Sequence, residues 1–214
     1  MAALPYVPAL VLAAGGGRRL GGRPKALIRY RDRPLLEHAL AVVRAGGCER
    51  TLAVLGAAAE QVRATADTGN CLLVDNPDWA SGMGSSLRAG LAALPAGADA
   101  VLVMLVDTPG VTPAAVARLL AAHRAGAELA AAAYDGRRGH PVLIGARHFA
   151  EAAAGATGDA GARALLAAHA PDVRLVECGD VAVPDDLDTP ADLARWTDRQ
   201  NSRSCAPDVP LVSP

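Results

Sequence analysis

The chain has 214 residues, 21 of them basic and 22 acidic, with a formal net charge of −1 and 51% hydrophobic content. That length suits one core, the apolar content excludes a disordered chain, and the balanced charge gives no electrostatic reason to expect nucleic acid or an anionic membrane as partner. Apolar runs are only strand-sized, Met1 to Tyr6 lacks the basic and long apolar stretches of a secretory signal, and Cys48, Cys71, Cys178 and Cys205 form no CxxC pair, so a soluble cytoplasmic protein without zinc or a disulfide framework is expected.

In chain order, Val7 to Ala14 is a short apolar run of the kind that forms a buried parallel strand. It enters a loop, Gly15 to Lys25, too rich in glycine to be helical. Pro34 to Ala45 predicts a helix with Leu35, Leu36, Ala39, Leu40 and Val43 on one face and Gly46-Gly47 as its stop. Arg50 to Leu55 predicts a strand, Ala57 to Ala66 a helix, Cys71 to Asp75 a strand, and Ser85 to Leu94 a helix ended by Pro95. Ala100 to Val106 is the most apolar strand and the expected centre of the sheet, and Thr112-Pro113 caps a helix reaching His123. This alternation predicts an α/β single domain with a doubly wound, mostly parallel sheet. The second half is less regular, with strands at Leu129 to Tyr134, Pro141 to Ile144 and Val173 to Val176. Helices are expected at Arg147 to Ala154, Ala160 to His169 and, capped by Thr189, Pro190 to Trp196. The domain is placed at 7–197, with a disordered tail over 198–214.

In a parallel sheet, ligands bind beyond the carboxyl ends of the strands, and three unusual segments fall there. The glycines of the first loop let backbone N–H groups approach an anion, and Arg18, Arg19 and Lys25 add positive charge. Lys25 is the only lysine among 21 basic residues in a chain with 49 alanines. A compositional drift towards arginine spares a lysine where a compact ammonium is needed and a guanidinium cannot fit. The loop contains no Walker A sequence, and Leu20 stands where a dinucleotide fingerprint needs glycine. In the second segment, Asn76 to Ser86, Gly84-Ser85-Ser86 can face a ribose or phosphate, or Ser85 can simply cap a helix. In the third, Asp107 ends the apolar strand, as a Mg²⁺ ligand or as a turn former. The acidic run Asp185-Asp186-Leu187-Asp188 suits the start of the last helix.

Together, LVLAAGGGRRLGGRPKAL, NPDWASGMGSSLRAGL, VDTPGV, RGHPVL, GDAGAR and DDLDTPADL resemble, in the same order, the motifs of the small nucleotidyltransferases that act on molybdopterin. The likeness covers about residues 7 to 197 and is nearest the cytidylyltransferase branch. Two departures stand out: Gly17 and Leu20 replace the usual Ser and Met, with Gly22 extra, and Val106-Asp107-Thr108-Pro109 replaces a Gly-Asp-Gln-Pro run. The resemblance implies a Rossmann-like fold and transfer of a nucleotide from CTP to the phosphate of a molybdopterin-type acceptor, or alternatively from GTP to molybdopterin or another phosphorylated acceptor. It implies nucleotide contacts from Leu12, Ala13, Ala14, Gly15, Gly16, Gly17, Arg18, Lys25, Gly84, Ser85 and Ser86, and catalytic roles for Arg19, Lys25 and Asp107. Asp107 and Asp188 would hold Mg²⁺, His140 and Asp159 would face the acceptor, and molybdoenzyme maturation factors would be transient partners. A rival class, an NAD(P)-binding reductase, expects an acidic ribose ligand after the second strand, where the chain has Leu55-Gly56-Ala57. A catalytically silent nucleotide-binding regulator could dispense with Asp107 and Asp188.

Overall fold

The computed structural model describes residues 4–196; Cys205 and the segment read as a tail lie outside them. A seven-stranded sheet forms the centre, in the order β5-β4-β1-β6-β8-β7-β9. Its strands are β1 (Ala9–Leu12), β4 (Thr51–Leu55), β5 (Leu72–Asp75), β6 (Ala100–Leu105), β7 (Leu129–Tyr134), β8 (Arg137–Gly145) and β9 (Val173–Glu177). The pairs β5–β4, β4–β1, β1–β6 and β7–β9 are parallel, whereas β8 runs antiparallel to both neighbours. Leaving β1, the chain builds first towards β4 and β5 and then returns to lay β6 on the other side. The switch point between those two directions is where open α/β sheets form their ligand crevice.

Helices cover both faces. On one lie α1 (Leu35–Ala45), α2 (Ala59–Thr65) and α4 (Pro113–Arg124), whose Leu36, Leu40, Val62, Val116 and Leu119 share a core with Val11 and Met104. On the other lie α3 (Met83–Ala92), α5 (Phe149–Gly155) and α6 (Arg163–Ala168), whose Leu87, Ala152 and Leu165 meet Leu10, Leu52 and Val103. Each fully buried leucine in these layers contributes about 1.5–3 kcal/mol relative to exposure. Local signals act as expected at α4, where Thr112 Oγ1 accepts from Ala115 N at 3.4 Å and Pro113 sits in the first turn. They act again at the last helix, α7 (residues 190–196). There Thr189 Oγ1 accepts from Asp192 N at 3.2 Å while Asp192 Oδ2 reaches back to Thr189 N at 2.7 Å, a reciprocal cap.

Several boundaries differ from the sequence reading. The α3 helix starts at Met83 rather than Ser85, so Ser85 is inside it and Gly82 precedes it. A small hairpin of β2 (Arg29–Tyr30) and β3 (Arg33–Pro34) stands before α1. The strand expected at Pro141 begins four residues earlier and forms a hairpin with β7 through Asp135 and Gly136, both at positive φ. The α6 helix occupies only Arg163–Ala168, because Gly158–Ala160 forms a separate turn ahead of it. Cys48, Cys71 and Cys178 are free thiols. No helix among the described residues is long and apolar enough to cross a membrane.

Candidate active site

The glycine-rich loop folds back on itself beyond β1. Leu20 N and Gly22 N both donate to Gly17 O, at 2.8 and 3.1 Å, and Lys25 N donates to Gly15 O at 3.3 Å. Gly17 has φ +60°, and a Cβ there would lie 1.8 Å from Arg23 O. The serine of the resembled motif therefore has no room in a loop lengthened by Gly22.

Asp107 follows β6 and is fixed by its own backbone. Its carbonyl accepts from Leu187 N at 2.8 Å, and Thr108 Oγ1 ties down the turn by donating to Leu105 O at 2.8 Å. That bond carries the 182–188 segment to the sheet edge, with Leu187 buried in the core. Its neighbours in this extended stretch, Asp186 and Asp188, both reach the crevice. The Thr189–Asp192 cap also holds Asp188 N, at 3.2 Å.

The Lys25 ammonium joins the two halves. It donates to Asp107 Oδ2 at 2.5 Å and to Asp188 Oδ1, while Arg19 Nη1 lies 3.7 Å from Asp188 Oδ2. Two carboxylates 81 positions apart thus converge on one cationic atom. Burial works to lower the Lys25 pKa, but Asp107 and then Asp188 outweigh it and hold the ammonium above its usual range. Asp186 records the crowding of acids. Partial burial first, then the charges of Asp107 and Asp188, push its carboxyl up to about 6.

A cleft of about 410 Å³ opens over this cluster. Of the residues expected to bind nucleotide, Leu12, Ala14, Gly15, Gly16, Gly17, Arg18, Lys25 and Ser86 line it, together with Arg19, Asp107, Asp159 and Asp188. Ala13, Gly84 and Ser85 do not line it. Ala13 is buried, and its N–H donates to Val54 O at 3.0 Å. Ser85 is buried, accepting from Asn76 Nδ2 at 2.8 Å and directing its hydroxyl towards Gly82 O and Asp78 O. Gly84 lies so close to the Ala156–Thr157 backbone that a Cβ would stand 2.6 Å from Ala156 O. Both residues seat the start of α3 instead of facing the cleft. Trp79 also lines the cleft, its ring against Gly16.

A second cavity, also about 410 Å³, adjoins the first, and Met83, Leu105 and Asp159 line both. His140, Arg138, Arg163 and Asp186 line the second. His140 Nδ1 is buried without a hydrogen-bond partner among the described residues. Burial, with Arg138 and Arg163 adding to it against the pull of Asp107, lowers the His140 pKa and keeps the ring neutral. Sequence reasoning missed Asp186, Arg138 and Arg163 as site residues. Two-residue spacing from Asp188 was the signal for Asp186; the arginines stand in the RGHPVL and GDAGAR motifs, from which only His140 and Asp159 were taken.

Comparison with known proteins identifies the family. The family model described as the MobA-like NTP transferase domain matches residues 9–173. The chain is 44% identical over 193 residues to nicotine blue oxidoreductase of Paenarthrobacter nicotinovorans, covering 87% of this chain and 94% of that protein. It is 35% identical over 140 residues to the molybdenum cofactor guanylyltransferase of Acidiphilium cryptum, covering 65% of this chain and 66% of that one. The crystal structure of Rv0371c from Mycobacterium tuberculosis in complex with manganese superposes with a TM-score of 0.75 at 32% identity, over 90% of this chain and 98% of that one. The family model spans most of the chain, which thus belongs to the MobA-like NTP transferase family.

Proposed function

We propose that the chain moves a nucleoside monophosphate from a nucleoside triphosphate, CTP in preference to GTP, onto the phosphate of a molybdopterin-type acceptor. An acceptor phosphate oxygen bonds to the α-phosphorus, the bond from that phosphorus to the bridging oxygen breaks, and pyrophosphate leaves. The observation that carries this reading is the convergence of Lys25, Asp107 and Asp188 opposite the glycine loop. A phosphate monoester is already charged near neutrality, its second pKa being about 6, so no protein base is required. The difficulty is anion meeting anion, and here the loop amides, Arg19 and Lys25 supply the opposing charge. The ammonium marks a point where two hard oxygen donors meet, which fits Mg²⁺ on Asp107 and Asp188. Bound there, Mg²⁺ supplies charge neutralisation to the phosphates. Lys25, which lines the same cleft, would face the triphosphate. The second cavity takes the acceptor, with Asp159 on the shared wall and His140, Arg138 and Arg163 around it.

The preference for CTP rests on the Leu12-Ala13-Ala14-Gly15 opening of the loop. Incubation with CTP, GTP, ATP or UTP, plus molybdopterin and Mg²⁺, should release pyrophosphate fastest with CTP. Release with none of the four would overturn the transferase reading. A second reading, an oxidoreductase, is favoured by the 44% identity to nicotine blue oxidoreductase. It predicts consumption of NADH or NADPH by the same preparation. Against it, Leu55-Gly56-Ala57 offers no carboxylate to a ribose beyond β4.

A further inference from the structure

On the face of the sheet that carries α3, α5 and α6, three side chains turn towards one another without any part in the cleft. His148 closes the short turn before α5, Glu151 follows on the first turn of α5, and His169 ends α6. His169 Nε2 lies 2.9 Å from both carboxylate oxygens of Glu151. His148 Nδ1 faces the same carboxylate at 3.8 Å, too far for a hydrogen bond, and the two imidazole rings meet edge to face at 4.9 Å between centroids. One donor atom from each of the three lies within 4.8 Å of the others.

We propose that His148, Glu151 and His169 form a binding site for a late first-row divalent ion, Zn²⁺ foremost, that clips α5 to α6. Two imidazole nitrogens and one carboxylate make a donor set that suits Zn²⁺, Co²⁺ or Ni²⁺ and not Mg²⁺, and leave a fourth position for water. Zinc bonds of about 2.1 Å place tetrahedral donors about 3.4 Å apart, within the span these atoms already occupy. The His148 ring is buried and fixed, whereas Glu151 and His169 are partly exposed and free to adjust. His148 binds through Nδ1 and carries its proton on Nε2, and His169 binds through Nε2 with its proton on Nδ1. Arg147 Nε, now 3.1 Å from His148 Nε2, must give up that contact; it is largely exposed and keeps Glu128 at 3.5 Å. The clip joins the start of α5 to the end of α6, the ends remote from the connection between Gly155 and Arg163 that carries Asp159 to both cavities.

The test is Zn²⁺ titration of the untagged full chain by calorimetry, with Co²⁺ absorption as a second readout of imidazole ligation. One ion should bind per chain, and zinc at a hundredfold excess over Kd should raise the Tm by roughly 5 °C. His169→Ala and Glu151→Gln, both at partly exposed positions, should weaken binding at least tenfold. Arg147→Ala should tighten it several-fold by removing a competitor for His148. Asp107→Asn and Asp188→Asn should leave it unchanged. Absence of binding, binding indifferent to His169→Ala, or binding abolished by Asp107→Asn would each overturn the proposal.

Discussion

At the scale of single residues the molecule turns on Lys25. Its ammonium fits between Asp107 and Asp188 because a point charge can face two carboxylates at once, and a planar fork of larger radius cannot occupy the same gap. Lys25→Arg should therefore lower pyrophosphate release at least about tenfold, and Lys25→Ala as much, with the Tm of Lys25→Arg within a few degrees of the parent. Wild-type turnover by Lys25→Arg would show that charge alone suffices. Asp107→Asn and Asp188→Asn should each abolish transfer, and the double variant should be little worse than either, since both side chains serve one centre. Losses that multiply instead would mean that the two acids act separately. Much of this centre was legible in the sequence, since a lone lysine at the end of a glycine loop and an acid after the most apolar strand are chemical anomalies. Asp188 was reached only through the family resemblance. Asp186 was passed over because acids before a helix already have a reason to be there in the helix dipole. Backbone bonds from Leu187 N to Asp107 O and from Val183 N to Gly110 O turn that acidic run towards the crevice.

At the scale of elements, the start of α3 is set by close approach of backbone to backbone. Gly84→Ala ought to gain helix propensity, about 1 kcal/mol. The added methyl would instead meet Ala156 O at 2.6 Å and Thr157 N at 2.7 Å, neither of which is the movable end of a side chain. A net loss of about 1–3 kcal/mol is expected, read as a lower urea midpoint with an unchanged slope. Unchanged or raised stability would mean that the Ala156–Thr157 strand yields. The same element shows the limit of local signals. Ser85 is an excellent cap residue, yet tertiary contact with Asn76 and Asp78 O draws it inside the helix, and no pattern within the segment announces a partner nine positions away. The β7–β8 hairpin is the opposite case. Asp135-Gly136 is a strong two-residue turn signal, but the apolar run that marks the second strand begins only after the polar residues Arg137 to His140. They are polar because β6 pairs only with the Val142–Gly145 end of β8, leaving the first half to line the second cavity.

At the scale of the whole molecule, strand order could not be deduced from alternation alone. Apolar runs marked the seven strands of the main sheet, whereas antiparallel insertion of β8 beside β6 depends on where a hairpin folds back. Stability should carry the mark of two half-buried histidines. Burial lowers the pKa of His38, whose Nε2 is 3.1 Å from Pro109 O, and that of His140. A depressed imidazole favours folding fully above its unfolded value of about 6.5, and that contribution is lost as pH falls through the folded value. The Tm should decline from pH 7 to pH 5.5, and His38→Gln, which keeps a donor for Pro109 and cannot charge, should flatten the decline. A Tm profile for His38→Gln as steep as the parent's would place the titration elsewhere. Met83, Leu105 and Asp159 line both cavities, so an occupant of either meets the same three residues as an occupant of the other. Whatever factor one ligand imposes on the affinity of its neighbour must be returned in full, because the free energy of filling both chambers is independent of the order in which they are filled. Two ligands that share three lining residues are bound as one thermodynamic unit before any bond forms between them.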